Sequence, residues 1–253
     1  NQRALERFER EARTAAGLKH PNIVAIYDFG PLPAGGAYLV MELIRGCSWR
    51  EELKTGESIA LGRVSQWLEQ LCAATTSAHA LGIVHRDLKP ENVMIAEGSP
   101  EERVVVLDFG LAKARIDGPR AETELTVAGS VLGTRAYMSP EQRAGEPIDV
   151  RTDVYSIAVM AVETLCGVAP PRTGASREWM RGALAGLTAP GSPLTLVLEQ
   201  ALAEIPADRL VSARELGAEL VRAIPGSLAY RGSSSGDASS DTISLEAGTD
   251  RAE

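Results

Sequence analysis

Positive charge is in short supply in this sequence: 26 lysines and arginines face 34 aspartates and glutamates, for a formal charge of -8. With a pI near 5.1, that balance argues against a nucleic-acid or anionic-membrane binder, because phosphate recognition needs clustered Lys and Arg. Cysteine is scarce as well. Cys47, Cys72 and Cys166 are far apart and form no CxxC pair, which argues against a disulfide framework or zinc site and for a reducing compartment. No apolar run reaches the roughly 18 residues that a membrane-spanning helix needs. The most apolar stretch, Val154 to Cys166, contains Glu163 and reads as a buried helix of a soluble chain. The N-terminus is charged and helical in pattern, unlike a secretory signal.

What is present is a chain of 253 residues, 44% hydrophobic, long enough for one or two cored lobes. It opens on Asn1 inside a charged helical pattern, which predicts a fragment of a longer product. Leu5, Phe8, Ala12 and Ala15 share one helical face, closed by Gly17 and His20-Pro21. Ile23 to Phe29 and Ala37 to Ile44 read as an antiparallel hairpin joined by the loose turn 31–36. Val64, Trp67, Leu68, Leu71, Cys72 and Ala78 recur at helical spacing up to Gly82. Short strands and loops follow to Gly110, then an irregular stretch to about Gln142. Helices are predicted at Thr152 to Leu165, near Leu194 to Ala203, and after Ser212, where Ser212 and Glu215 fit a capping box and Val211 with Leu216 a hydrophobic staple. From Gly226 the composition turns to Ser, Gly, Ala, Asp and Glu. Such a segment buries too little surface to offset its ordering entropy, so 226–253 reads as a disordered tail or linker. His20 and His79 fit helix-end or packing roles.

The chemistry concentrates in His85-Arg-Asp-Leu-Lys-Pro-Glu-Asn92, followed by Asp108-Phe-Gly110. H-R-D-x-x-x-x-N with a later D-F-G is a signature of the protein kinases, and the sequence resembles that family up to about Ile224. The resemblance implies an α+β, bilobal kinase-like fold over 1–225. Its small lobe is incomplete, keeping the family's C helix and fourth and fifth strands, and its helical lobe is complete.

Phosphoryl transfer leaves the protein little covalent work; catalysis is alignment and charge neutralisation. By resemblance, Asp87 orients the acceptor hydroxyl and takes its proton, and Lys89 places a charge on the γ-phosphate of ATP. Asn92 and Asp108 hold Mg2+ (or Mn2+), since hard cations prefer oxygen ligands. Lys89 within Asp-Leu-Lys is similar to the Ser/Thr class, which implies protein substrates with Ser/Thr acceptors. Gly133 to Glu141 resembles the end of an activation loop, with Thr134 shaping the acceptor site and Ser139-Pro140-Glu141 standing in the A-P-E place. Arg86 implies a phosphorylated loop residue held by charge-assisted hydrogen bonds, with Thr126 the candidate and Thr123 and Ser130 the runners-up. Glu11 stands where the family's C-helix glutamate pairs with a lysine. His85, Phe109, Glu141, Asp153 and Arg209 match structural positions: Asp153 bracing the catalytic loop and Arg209 pairing with Glu141. On the adenine side, Met41 is the gatekeeper, Glu42 and Ile44 offer backbone groups to the purine, and Met94 lies beneath the ring.

No G-x-G-x-x-G and no V-A-I-K-like strand precedes Glu11. The expectation is therefore a frayed N-terminal region and a chain that binds ATP weakly and transfers phosphate poorly by itself. A non-catalytic, pseudokinase-like scaffold is the alternative, but Asp87, Asn92 and Asp108 are all retained. A small-molecule phosphotransferase is a third reading, disfavoured by the Gly-Thr…Pro-Glu segment. The style of the chain is similar to bacterial Ser/Thr kinases. That implies a cytoplasmic domain, with a membrane tether beyond the tail as the alternative.

Overall fold

Hydrophobic burial is greatest along a single helix, Arg151–Cys166, in which Val154, Ile157, Ala158, Val159, Met160, Ala161 and Val162 are all fully buried. Each large apolar side chain withdrawn from water contributes about 1.5–3 kcal/mol, so the remaining elements are arranged around this axis. The computed structural model describes residues 2–33, 35–98, 102–109 and 135–224. Within the first helix, the side chains of Gln2, Arg3, Ala4, Arg7, Phe8 and Glu11 lie outside the description.

The chain begins with α1 (Gln2–Ala16), followed by β1 (Ile26–Pro31) and β2 (Ala37–Met41). These strands pair antiparallel with Phe29 opposite Leu39 and an irregularity between Ile26 and Asp28. The predicted hairpin is present, shorter at its open end, where β1 begins at Ile26 and β2 stops at Met41, and longer toward the turn, where β1 runs on to Pro31. Val24 instead turns its backbone to Val106, whose carbonyl accepts its N–H at 3.0 Å. Past Met41 the chain leaves the sheet, and Leu43 is 83% exposed. In α1, Ala12 and Ala15 are buried as the helical face predicts.

A second sheet runs β3 (Gly46–Ser48), β4 (Val93–Ala96) and β5 (Arg103–Val106), all antiparallel in that order. Gly46 is required here: at φ 146° an added Cβ would stand 2.0 Å from the Ile95 carbonyl oxygen. Between β3 and β4 lie α2 (Trp49–Lys54) and α3 (Leu61–His79). The helix α2, which pattern reading missed, starts at a complete capping box in which Ser48 and Glu51 bond reciprocally. Gly82, at φ 73°, turns the chain after α3.

The helical lobe continues with α4 (Pro140–Ala144), α5 (Arg151–Cys166), α6 (Arg177–Leu184), α7 (Pro193–Ala201) and α8 (Ala213–Ala223). Trp49 is fully buried, donates its indole N–H to Thr164 at 2.9 Å, and meets Trp67 edge-on at 5.0 Å. Gly217 on α8 lets Cys72 of α3 approach so closely that an added Cβ would lie 2.8 Å from the Cys72 Cβ. At the start of α8, Ser212 accepts from the Glu215 N–H at 3.2 Å, but Glu215 returns its bond to Val211 N–H at 2.9 Å. Val211 is 60% exposed, so the expected staple with Leu216 buries little. Among the described residues no helix is long and apolar enough to cross a membrane.

Candidate active site

Only two non-glycine residues among those described have positive φ: Arg86 at 71° and Asp108 at 55°. Such backbone costs about 1–3 kcal/mol per residue and persists only where its surroundings hold it. Both lie in the stretches singled out from the sequence, and the partners that hold Arg86 are well defined.

Around Arg86 the holding group is Asp153, fully buried in the first turn of α5. Its carboxylate accepts the backbone N–H of Arg86 at 2.9 Å and of His85 at 2.8 Å, and lies 2.7 Å from His79 Nε2. The Arg86 carbonyl accepts from the Gln142 amide at 2.6 Å. His85 is fully buried; its Nδ1 accepts the Asp87 N–H at 3.3 Å, so Nε2 carries the proton given to the Leu107 carbonyl at 2.8 Å. Its ring meets Phe109 edge-on at 4.7 Å.

That frame projects Asp87 beside three partners. Lys89 Nζ stands 2.9 Å from one Asp87 oxygen and 3.1 Å from the other. The Asn92 amide donates to the Asp87 carboxylate at 3.0 Å and to its carbonyl at 2.7 Å. Leu107 N–H donates to the Asn92 carbonyl at 2.9 Å, which places Asp108 immediately next to this group. Asp108 and Phe109 in turn line a narrow cleft with Ala15, Ile26, Leu39 and Met41. The structure thus brings together Asp87, Lys89 and Asn92, and ties the residue before Asp108 to the Asn92 backbone.

Of the residues expected on the adenine side, Met41 lines this cleft. Met41 is 37% exposed, while Ile44 and Met94 are half-buried. Glu42 gives its own N–H to the Ala25 carbonyl at 2.8 Å, so of its backbone groups only the carbonyl is left for a purine. Its side chain is held by Arg103 at 2.6 Å.

Farther out, Arg209 forks both nitrogens onto Glu141 at 2.7 Å each, with Thr152 adding a third bond to Glu141 at 2.8 Å. Both residues of the pair are buried. Burial alone would raise the Glu141 carboxyl, but the hydrogen bonds from Arg209, backbone and Thr152 outweigh it and bring it down to about 2. Burial pushes the Cys72 thiol up to about 12 and the Cys166 thiol to about 11, so neither has thiolate character.

Thr134, Thr123, Thr126, Ser130 and Gly110, the tail from Gly226, and the side chain of Glu11 lie outside the described residues. His79 ends α3, as its helix-end or packing reading allowed, but sequence reading missed its bond to Asp153, and it missed Gln142 as a holder of Arg86.

A polar turn opposite an Asp-Phe pair, braced by a buried helix aspartate, is the arrangement that the resemblance to the protein kinases implies. The protein kinase domain model matches residues 1–190, and the chain belongs to that family. Two bacterial proteins are among its relatives. Serine/threonine-protein kinase pkn3 of Myxococcus xanthus is 36% identical over 234 residues, covering 87% of this chain and 42% of that protein. Serine/threonine-protein kinase PknB of Mycobacterium tuberculosis is 39% identical over 228 residues, covering 85% of this chain and 35% of that protein. The chain therefore spans well under half the length of these relatives. Among solved structures, the PknI kinase domain of M. tuberculosis superposes with a TM-score of 0.68 at 27% identity, covering 88% of this chain and 80% of that one.

Proposed function

We propose that this chain carries the acceptor- and metal-binding side of a Ser/Thr protein kinase that transfers the γ-phosphate of ATP to protein Ser/Thr hydroxyls. The observation that carries the reading is the convergence of Asp87, Lys89, Asn92 and the start of Asp-Phe-Gly through the Leu107–Asn92 backbone bond. Asp87 is the group that orients the acceptor hydroxyl and takes its proton, and Asn92 fixes the carboxylate for that task. Lys89 supplies a point charge toward the γ-phosphate.

The donor set fits a hard cation. The Asn92 amide nitrogen is spent on Asp87, which leaves its side-chain oxygen as the group to offer a cation, and Asp108 adds a carboxylate. Two protein ligands alone hold Mg2+ weakly, and phosphate oxygens of the nucleotide complete such a shell. Mg2+ or Mn2+ bound there neutralises charge on the phosphates. The hinge carbonyl of Glu42, the backbone of Ile44, and Met41 and Met94 face the adenine. Thr134 shapes the acceptor side, and Glu11 pairs with a lysine outside these 253 residues. Arg86 receives a phosphorylated loop residue, Thr126 first, Thr123 or Ser130 otherwise. The kinase unit runs 1–225 and 226–253 is a linker, with the unit in the cytoplasm. Because no glycine-rich loop precedes Glu11, these residues by themselves transfer phosphate weakly.

Calorimetry of ATP binding with and without Mg2+ tests the metal assignment. Binding that strengthens with Mg2+, and loses that gain in Asp108→Asn, supports it; a gain that survives Asp108→Asn and Asn92→Ala refutes it.

A further inference from the structure

Arg50 is the second residue of α2, and the reading above gives it no task. Its guanidinium nevertheless reaches three separate parts of the lobe. Nε donates to Glu91 at 2.8 Å, one Nη donates to Glu163 at 2.7 Å, and the other donates to the Tyr137 hydroxyl. Tyr137 passes its own hydroxyl proton to the second oxygen of Glu163 at 2.5 Å. Glu163 and Tyr137 are buried at 3% and 5% exposure. Burial and the neighbouring Glu163 carboxylate raise the Tyr137 phenol, so it stays protonated and keeps donating. Burial alone would lower the Arg50 guanidinium, but its bonds to Glu163 and Glu91 more than reverse this.

The placement of the three partners gives this cluster its meaning. Glu91 sits directly before Asn92, inside the turn that carries Asp87 and Lys89. Tyr137 lies in the turn at Arg135–Tyr137, three residues after Thr134, the residue that the kinase reading sets at the acceptor. That turn is pinned elsewhere by Ser156, which donates to the Tyr137 carbonyl at 2.9 Å, and by Ala175 N–H on the Ala136 carbonyl at 3.2 Å. Glu163 is the fixed point, set on the buried α5. Arg50 touches the catalytic turn, the turn at Arg135–Tyr137 and the core helix at once. The Glu91 side chain is 46% exposed, so its bond to Arg50 adds little stability and acts chiefly by orientation.

We propose that Arg50 is a positioning residue for the protein acceptor, holding the Asp87–Asn92 turn and the Arg135–Tyr137 turn at a fixed separation through Glu91, Tyr137 and Glu163. The proposal rests on the kinase reading. A planar fork suits this task because each nitrogen points at a different acceptor, and a lysine keeps the charge but not the three directions. Loss of the fork lets the acceptor drift from Asp87 while the nucleotide side is untouched.

The test uses the full-length protein that carries this sequence, with Arg50→Ala, Arg50→Lys and the exposed-contact variant Glu91→Gln. Two quantities are read: steady-state constants for a Ser/Thr protein acceptor and for ATP, and hydrogen exchange along residues 86–94 and 135–142. Arg50→Ala lowers kcat/KM for the acceptor by about tenfold or more, since small misplacements of reacting groups are costly, while KM for ATP changes less than about twofold. Arg50→Lys recovers part of the loss, and Glu91→Gln shows a smaller loss of the same kind. Exchange quickens in both segments together and not along α5. Equal losses for acceptor and ATP, full rescue by lysine, or unchanged exchange in either segment overturns the proposal. If the unsubstituted protein transfers no phosphate, it is the kinase reading that fails. The exchange pattern, which needs no activity, then decides the positioning claim by itself.

Discussion

The Asp153 carboxylate accepts the backbone N–H of Arg86 at 2.9 Å, at a residue whose φ of 71° places it in the left-handed region. The same carboxylate accepts the N–H of His85 at 2.8 Å. A buried side chain of one helix thus fixes the strained backbone from which Asp87 projects. Asp153→Ala leaves the buried His85 N–H and the part-buried Arg86 N–H unpaired, and each such group costs up to about 1–3 kcal/mol. The expected loss in urea unfolding is therefore about 2–6 kcal/mol. A loss below about 1 kcal/mol would mean that this backbone is held by something else.

His79 completes the same carboxylate at 2.7 Å through Nε2, while its buried Nδ1 has no partner among the described residues. Nitrogen-15 NMR is expected to show His79 with its proton on Nε2. His79→Leu removes a hydrogen bond to a charged group and destabilises by about 1.5–3 kcal/mol. His79→Gln can still donate and is expected to lose less than half as much. Equal losses in the two variants would show that packing, not the bond to Asp153, gives His79 its weight.

The Glu141–Arg209 pair makes a prediction in pH. With the Glu141 carboxyl brought down to about 2 in the fold, the unfolded chain binds its proton first as pH falls. The stability contributed by the pair is full above about pH 4.5 and is lost as pH drops toward 2. Arg209→Met leaves the carboxylate buried without its cation, so the folded pKa rises above the unfolded one and the sign reverses: stability grows as pH falls. At neutral pH the same variant costs about 3–5 kcal/mol. Urea titrations between pH 3 and 7 should give slopes of opposite sign for the two proteins, and parallel slopes would refute the assignment.

Much of this was legible in the sequence, for identifiable reasons. The helix over Arg151–Cys166 announces itself by the apolar stretch Val154 to Cys166, interrupted only by Ser156, Glu163 and Thr164, and the polar turn with Asp87, Lys89 and Asn92 by several fixed residue types in order. Capping chemistry also carries information, but only where it is sought: Ser48 and Glu51 spell the start of α2 as plainly as Ser212 and Glu215 spell that of α8. The helix α6 has a comparable signal in Ser176, which accepts the Trp179 N–H at 3.1 Å. Strand ends were misjudged because Val24 and Glu42 satisfy their N–H groups on Val106 and Ala25, and tertiary pairing of that kind leaves no local mark. His79, Gln142 and Arg50 were missed for a similar reason. Each acts on a residue distant in the chain, and one histidine, glutamine or arginine on a helix has no periodicity that separates it from a solvated face.

The central claim is that Asp87 serves phosphoryl transfer, and the most direct measurement is labelled phosphate transfer from MgATP. The polypeptide is extended upstream by about 60 residues, the length that three further small-lobe strands and their turns require. It is assayed on itself and on a generic Ser/Thr protein, beside Asp87→Asn. The account predicts transfer by the extended chain and a loss of about 100- to 10,000-fold in Asp87→Asn. Equal transfer by Asp87→Asn, or no transfer by an extended chain that supplies a glycine-rich loop and a lysine, would contradict it.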